Sequence, residues 1–301
     1  MSGAVFIDCS APMWDLLTPA RRAIFPNLEV HKGDPSAEDL LSIIGTSTAV
    51  LNGHTQMTED TLQRAPNLQR IVFLGSGPAS YIDMQAAARL DIEVLKVAGY
   101  GNVTIAEHAI ALMFAVSRNI TLHDRDLRAG LWQPLPGRQL AGSTLAVIGA
   151  GGVGQEMVKL GLGLGMQVVY TSRQASPHLP GAECVSLSRA LKVADVVSIH
   201  LAQTPETIGY IGADELSAMK PGALLINTSR GALVDESALM SALASGHIAG
   251  AGLDVFESEP LRPDDPLLAA QNVVLTPHVA FNTPQASANL LEKGLRLLST
   301  A

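Results

Sequence analysis

The chain has 301 residues, 47% hydrophobic and 16% charged, which is enough to build two cores of ordinary size. Its formal net charge of −8, with no Lys/Arg cluster, excludes nucleic acid and an anionic membrane as expected partners, since both select basic surfaces. Two cysteines, Cys9 and Cys184, are too few for a disulfide framework or a zinc site, and no metal is expected. Their flanks read as strand ends, which predicts buried free thiols.

The opening MSGAVFIDCS starts a strand. It has no basic segment followed by a long apolar one, so no signal peptide is expected. The uncharged, glycine-rich stretch at residues 140–154 is too short to span a bilayer, and a cytoplasmic enzyme is the expectation. Val5–Asp8, Ala49–Leu51, Ile71–Leu74 and Glu93–Val97 are predicted strands. Pro19–Phe25, Thr58–Arg64 and Met84–Arg89 are the predicted helices between them. This alternation predicts a small parallel sheet with helices on both faces. In Val103–Asn119 apolar residues recur at three and four positions, predicting a long, largely buried helix. Leu131–Gly137 is a proline-bearing loop.

From Leu145 a stronger alternation begins. Its predicted strands are Leu145–Ile148, Gln167–Tyr170, Val196–His200, Leu224–Asn227, Gly250–Asp254 and Val273–Leu275, six in one doubly wound sheet. The final helical period, Gln285–Leu298, has room to return to the first sheet. The expected fold is therefore α/β, with two doubly wound parallel-sheet domains. Residues 1–100 with 281–301 form a discontinuous substrate domain, and residues 101–280 a Rossmann dinucleotide-binding domain. Two chain crossings, near 99–103 and 279–284, predict a hinge with the active site in the cleft.

Residues 143–154 read STLAVIGAGGVG. Gly149, Gly151 and Gly154 make G-x-G-x-x-G between a predicted strand and the predicted helix Gln155–Leu164, with Gly152 and Val153 inside the turn. The first glycine makes the bend, the second admits a pyrophosphate and the third lets helix and strand close. In an NAD site a carboxylate follows the second strand and binds the ribose hydroxyls. Here Thr171, Ser172 and Arg173 follow it instead. Hydroxyls and a guanidinium suit a 2′-phosphate, so NADPH is expected over NADH, with NAD as the lesser alternative.

Three further loops leave strands at the same predicted sheet edge: NTSRG (227–231), DVFESEP (254–260) and TPHVA (276–280). They carry Arg230, Glu259 and His278. Reduction of a 2-oxo acid needs a cation for the carboxylate, a proton donor for the emerging alkoxide and a hydride. Arg230 suits the first task and His278 the second. Glu259 beside His278 would fix the ring and favour imidazolium.

Together GAGGVG, HLAQTPET (200–207), INTSRGALVDE (226–236), AGLDVFESEP (251–260) and TPHVA resemble the D-isomer-specific 2-hydroxyacid dehydrogenases, in order and spacing, over nearly the whole chain. The resemblance implies Arg230, Glu259 and His278 as the catalytic set. It implies a dinucleotide lined by His200, Leu201, Ala202, Pro205, Thr207, Thr228, Ser229, Arg230, Asp254, His278 and Ala280, with Asp254 near the nicotinamide carboxamide. The segment from Tyr170 to Arg173 resembles NADPH-preferring glyoxylate/hydroxypyruvate reductases. A homodimer, with the 103–119 helix region at its interface, is also implied.

One segment departs from the family. Its substrate loop has glycines followed by Asp-Asn-x-Asp, where residues 74–83 here read LGSGPASYID. Only Asp83 matches clearly, with Ser80 and Tyr81 at the Asp-Asn positions. Backbone N–H groups of Gly75, Ser76 and Gly77 are still expected to hold the substrate carboxylate, and Asn102 to face the cleft. Glu107 and His108 are expected to pack rather than act. Among rival enzymes, a short-chain dehydrogenase needs Tyr-x-x-x-Lys, which is absent. An L-lactate-type enzyme would carry the fingerprint near its start, and a zinc alcohol dehydrogenase needs more cysteines. The rival outside enzymes is a non-catalytic, dinucleotide-sensing regulator of the same fold.

Overall fold

The structure is a computed structural model and describes residues 3–172 and 178–299. The chain divides into two compact units, residues 1–101 with 282–301, and residues 102–281.

The first unit is built on five parallel strands: β1 (Ala4–Cys9), β2 (Leu28–Lys32), β3 (Ala49–Asn52), β4 (Arg70–Phe73) and β5 (Glu93–Lys96). Their order is β2-β1-β3-β4-β5. β1 is buried at every position, as a central parallel strand covered on both faces must be. β2, Leu-Glu-Val-His-Lys, alternates charge with apolar residues and lies at the edge. That polarity hid it from the apolar pattern. The helix Pro284–Ser299 returns to this unit and buries Leu290, Leu291, Leu295 and Leu298 against Leu51, Leu74 and Val97.

The second unit carries seven parallel strands where six were expected: β6 (Thr144–Ile148), β7 (Gln167–Thr171), β8 (Ala182–Cys184), β9 (Val196–Ile199), β10 (Ala223–Asn227), β11 (Ile248–Leu253) and β12 (Val273–Leu275). The additional strand, β8, is a three-residue edge, too short to show a period. The order is β12-β11-β10-β9-β6-β7-β8. The chain steps outward from β6 to β8, then restarts on the other side with β9. This makes a switch point between β6 and β9, where ligands bind doubly wound sheets. β9 and β10 are buried throughout.

Cys9 is buried, as expected, and burial pushes its thiol up to about 11. Cys184 is exposed, because β8 is an edge strand rather than a core one, which corrects the buried-thiol reading there. The long helix begins one residue early and ends at Ser117. Asn119 adopts a left-handed backbone (φ 52°), which asparagine tolerates better than most residues, and a second, polar helix runs from Ile120 to Arg128. Among the described residues no helix is long and apolar enough to cross a membrane.

Candidate active site

The carboxyl ends of β6, β7, β9, β10, β11 and β12 carry the predicted residues of the second unit. Gly149 follows β6 with φ +104°, and its carbonyl sits where a Cβ of Gly154 would be. An alanine at Gly149 would also meet the His200 carbonyl at 2.6 Å. The protein's own backbone therefore demands these two glycines. Gly151, the N-cap of the helix Gly152–Gly163, is different. A Cβ there meets no protein atom within 4 Å, so protein packing does not account for it. Gly152 lies against the Asn102 side-chain amide, which places Asn102 beside the phosphate turn. Val153 is partly buried in the first turn of the helix.

The Thr171 hydroxyl oxygen accepts the Gly149 N–H at 3.2 Å and so braces the turn. Ser172 is exposed, while Arg173 lies outside the described residues. After β9, His200 is buried and donates to or accepts from Ser198 Oγ at 2.8 Å, and burial pulls its pKa down to about 4. Leu201 packs at Gly149, and Ala202 and Pro205 are exposed. Thr207 is buried and closes its own loop by donating to the Ala202 carbonyl at 2.8 Å. Two buried polar atoms in this neighbourhood, His200 Nδ1 and Thr228 Oγ1, have no hydrogen-bond partner among the described residues. A glycine turn open to solvent at Gly151, a helix N-terminus and these unpaired atoms fit a bound dinucleotide.

After β10, Asn227 is buried and holds the next turn. Its Nδ2 donates to the Arg230 carbonyl at 2.9 Å, and its Oδ1 accepts from Ser229 N at 3.0 Å. Ser229 Oγ donates to the Ile199 carbonyl at 2.8 Å, tying this loop to β9. Arg230 Nη1 donates to the Ser229 carbonyl at 2.6 Å, which leaves the other guanidinium nitrogens without a partner among the described residues. Gly231 is pressed against the backbone of Phe256 and Glu257, so no larger residue fits where the Arg230 and Glu259 loops touch.

His278 Nδ1 and Glu259 Oε2 are 2.6 Å apart, and Glu259 Oε1 accepts from Phe256 N at 3.0 Å. The carboxylate is thus anchored before it meets the imidazole. Because an ionised carboxylate only accepts, Nδ1 carries the proton and Nε2 makes no hydrogen bond to the described residues. The ring stands edge-on to Phe281 at 6.0 Å. Asp254, fully buried, accepts from Val279 N at 2.9 Å and Ala280 N at 2.8 Å. It therefore holds the loop that carries His278. Sequence reasoning missed Asn227, Gly231 and Thr276 in this assembly, since each acts through the backbone or a partner far along the chain.

The loop 75–77 belongs to the first unit, after β4. The Gly75 N–H is spent on the Phe73 carbonyl at 2.9 Å, while those of Ser76 and Gly77 donate to nothing among the described residues. Asp83 caps the helix Met84–Arg89 by accepting from Ala86 N at 2.8 Å, and Tyr81 stacks on Phe73 with ring centroids 5.5 Å apart.

Residues 110–280 match the family model described as D-isomer specific 2-hydroxyacid dehydrogenase, NAD binding domain. The chain belongs to the D-isomer specific 2-hydroxyacid dehydrogenase family. It is 40% identical over 249 residues to a glyoxylate reductase of Thermococcus litoralis, covering 79% of this chain and 75% of the reductase. It is 37% identical over 269 residues to a D-3-phosphoglycerate dehydrogenase of Archaeoglobus fulgidus, covering 87% of this chain but 51% of that one. The chain thus spans about half the length of that dehydrogenase. The solved structure of an acyclic imino acid reductase in complex with NADPH and D-arginine is 28% identical, with a TM-score of 0.82 over 96% of this chain and 94% of the other. The family is one of NAD(P)-dependent enzymes acting on a CH–OH group, reducing 2-oxo acids in the reverse direction.

Proposed function

We propose that the protein reduces a small 2-oxo acid, glyoxylate or hydroxypyruvate, to the D-2-hydroxy acid, with NADPH as the preferred cofactor. The observation that carries this reading is the His278–Glu259 pair, which presents one free imidazole nitrogen beside the Arg230 loop. The glyoxylate reductase similarity supports the substrate class.

In this reading a bound NADPH supplies the hydride, held by the turn Gly149–Gly154 and by the loops of His200 and Thr228. Arg230 binds the substrate carboxylate and polarises the carbonyl with guanidinium nitrogens its own loop does not use. His278 donates a proton from Nε2 to the carbonyl oxygen as the hydride arrives, and Glu259 balances the charge at Nδ1. Thr171 braces the glycine turn, and the sequence that follows it, Ser172 and Arg173, brings a hydroxyl and a cation and no carboxylate to repel a 2′-phosphate. The NADPH-bound imino acid reductase supports the same cofactor here.

We further propose that two copies associate through the second unit. Ile120, Leu127, Leu131, Trp132 and Leu135 are all exposed, Trp132 at 85%, on one short stretch of chain. Large apolar side chains left in water so close together in sequence support an interface over a solvated face.

A rate screen of small 2-oxo acids with NADPH and NADH tests the central reading. Turnover of glyoxylate and hydroxypyruvate above larger 2-oxo acids is the expected result. No turnover of any 2-oxo acid with either cofactor would remove it.

A further inference from the structure

The long helix Asn102–Ser117 and strand β11 mesh through two matched rows. His108, Leu112 and Val116 recur every four residues, a rise of about 6 Å per step. Gly250, Gly252 and Asp254 recur every two along β11 and just past it, about 6.6 Å per step. Val116 Cγ1 lies 2.6 Å from where a Cβ of Gly250 would stand, and Leu112 Cβ lies 2.9 Å from that of Gly252. The two glycines let the helix settle directly on the strand. The third tooth of the helix, His108, then arrives opposite the third position of the strand, Asp254, with Nε2 3.6 Å from Oδ1.

Between them stands Thr276, just past β12. Its Oγ1 is 2.6 Å from Asp254 Oδ1 and 2.9 Å from His108 Nε2. Asp254 already accepts the N–H groups of Val279 and Ala280, so it acts as a carboxylate. The single threonine proton therefore goes to Asp254. Thr276 must then accept from His108, which fixes the proton of His108 on Nε2. The order of donation is His108 to Thr276 to Asp254, and Asp254 in turn receives the backbone following His278.

We infer that His108 is a positioning residue for His278, acting through Thr276 and Asp254. The inference rests on the reading of His278 as proton donor. His278 has φ +51°, a left-handed backbone that a residue with a side chain adopts only when its surroundings enforce it. Its N–H bonds to the Asp254 carbonyl at 2.8 Å and approaches the Thr276 carbonyl at 3.0 Å. The enforcing group is Asp254, which is fully buried and has no Lys or Arg within ion-pair distance among the described residues. His108 supplies the N–H that Thr276 accepts, which aims the threonine proton at this carboxylate. Chained hydrogen bonds polarise one another, so its loss weakens the whole clamp on the His278 loop.

The test is steady-state reduction of the best 2-oxo acid by the parent, His108→Leu, His108→Gln, Thr276→Val, the Leu/Val double variant and His278→Asn. Thermal melts and dinucleotide titrations accompany each. His108→Leu and Thr276→Val should each lower kcat about tenfold, the worth of one hydrogen bond to a charged group. KM for the oxo acid and Kd for the dinucleotide should stay within about twofold. His108→Gln, which keeps an N–H, should recover most of kcat. The double variant should be no worse than either single one, because both break one chain. Parental kcat in the Leu and Val variants, no rescue by Gln, or losses that multiply to about a hundredfold in the double variant would each overturn the inference. Full turnover in His278→Asn would instead overturn the proton-donor reading itself, which the other variants alone would not reveal. Thr276→Val is nearly isosteric, so the outcome does not depend on how well the Leu variant folds.

Discussion

At the scale of single residues, the proposed chemistry separates by side chain. Arg230→Ala should remove most turnover and raise KM for the oxo acid. Arg230→Lys should recover little, because a point charge does not reproduce the two-pronged fit to a carboxylate. Unchanged kinetics in the Ala variant would take Arg230 out of the mechanism. His278→Ala should lower kcat by roughly 10²–10⁴-fold, the usual contribution of a positioned acid, and dinucleotide affinity far less. Glu259→Gln keeps a hydrogen-bonding group near Nδ1 but removes the charge, so kcat should fall while KM barely moves. A parental kcat in that variant would show that the 2.6 Å pairing orients nothing. His200 carries a different expectation, about stability. Burial makes its neutral form the folded one, with a pKa of about 4 against the ordinary 6.5. The unfolded chain therefore takes up a proton from pH 6.5 downward while the folded chain does not. This contribution to stability is complete above pH 6.5 and is lost as pH falls towards 4. Between pH 7 and 5 the loss is about 2 kcal/mol. Urea melts of the protein without cofactor should show it, and His200→Gln should lose that much less over the same interval. An equal loss in both proteins would mean that His200 is protonated inside the fold.

At the scale of elements, what the sequence showed depended on how apolar each strand was. β1, β9 and β10 are buried at nearly every position and stand out as unbroken apolar runs. β2 and β8 are edge strands with charged or few residues, and no period betrays them. The helix Ile120–Arg128 is polar over much of its length and buries no residue, so it too escaped. Arg230, Glu259 and His278 were legible as candidates because three loops leaving strands at one sheet edge carry the cation, carboxylate and imidazole that oxo-acid reduction needs. In the sequence His108 reads as a packing residue, since its partners lie 146 and 168 positions away and only the fold brings them together. The same limit applies to Thr171, whose bond to Gly149 only the paired strands β6 and β7 create. The cofactor prediction belongs to the loop after β7. Ser172→Asp should invert the preference for NADPH, by repelling a 2′-phosphate and accepting the ribose hydroxyls of NADH. Arg173→Ala should reduce a preference of roughly ten- to hundredfold, the worth of one charged hydrogen bond. Equal kcat/KM ratios for the two cofactors in parent and Arg173→Ala would leave the NADPH assignment without support.

At the scale of the whole molecule, the second unit shows an imbalance between its interior and one part of its surface. Its sheet core is closed by two apolar clusters, yet Leu131, Trp132 and Leu135 lie exposed in the segment leading to β6. A tryptophan 85% exposed leaves a large apolar area in water, and Leu127 and Ile120 are also exposed on the preceding helix. A two-fold interface uses the same patch on both copies, so one exposed stretch is sufficient to build it. Trp132→Glu places a charge in each half of that interface, and two-fold symmetry brings the charge in twice. On the proposed association the parent should sediment as a dimer and the variant as a monomer. Its circular dichroism should match the parent, because Trp132 contributes to neither core cluster. Sedimentation of parent and variant as the same species would place association elsewhere or nowhere, and the apolar stretch would then need another occupant.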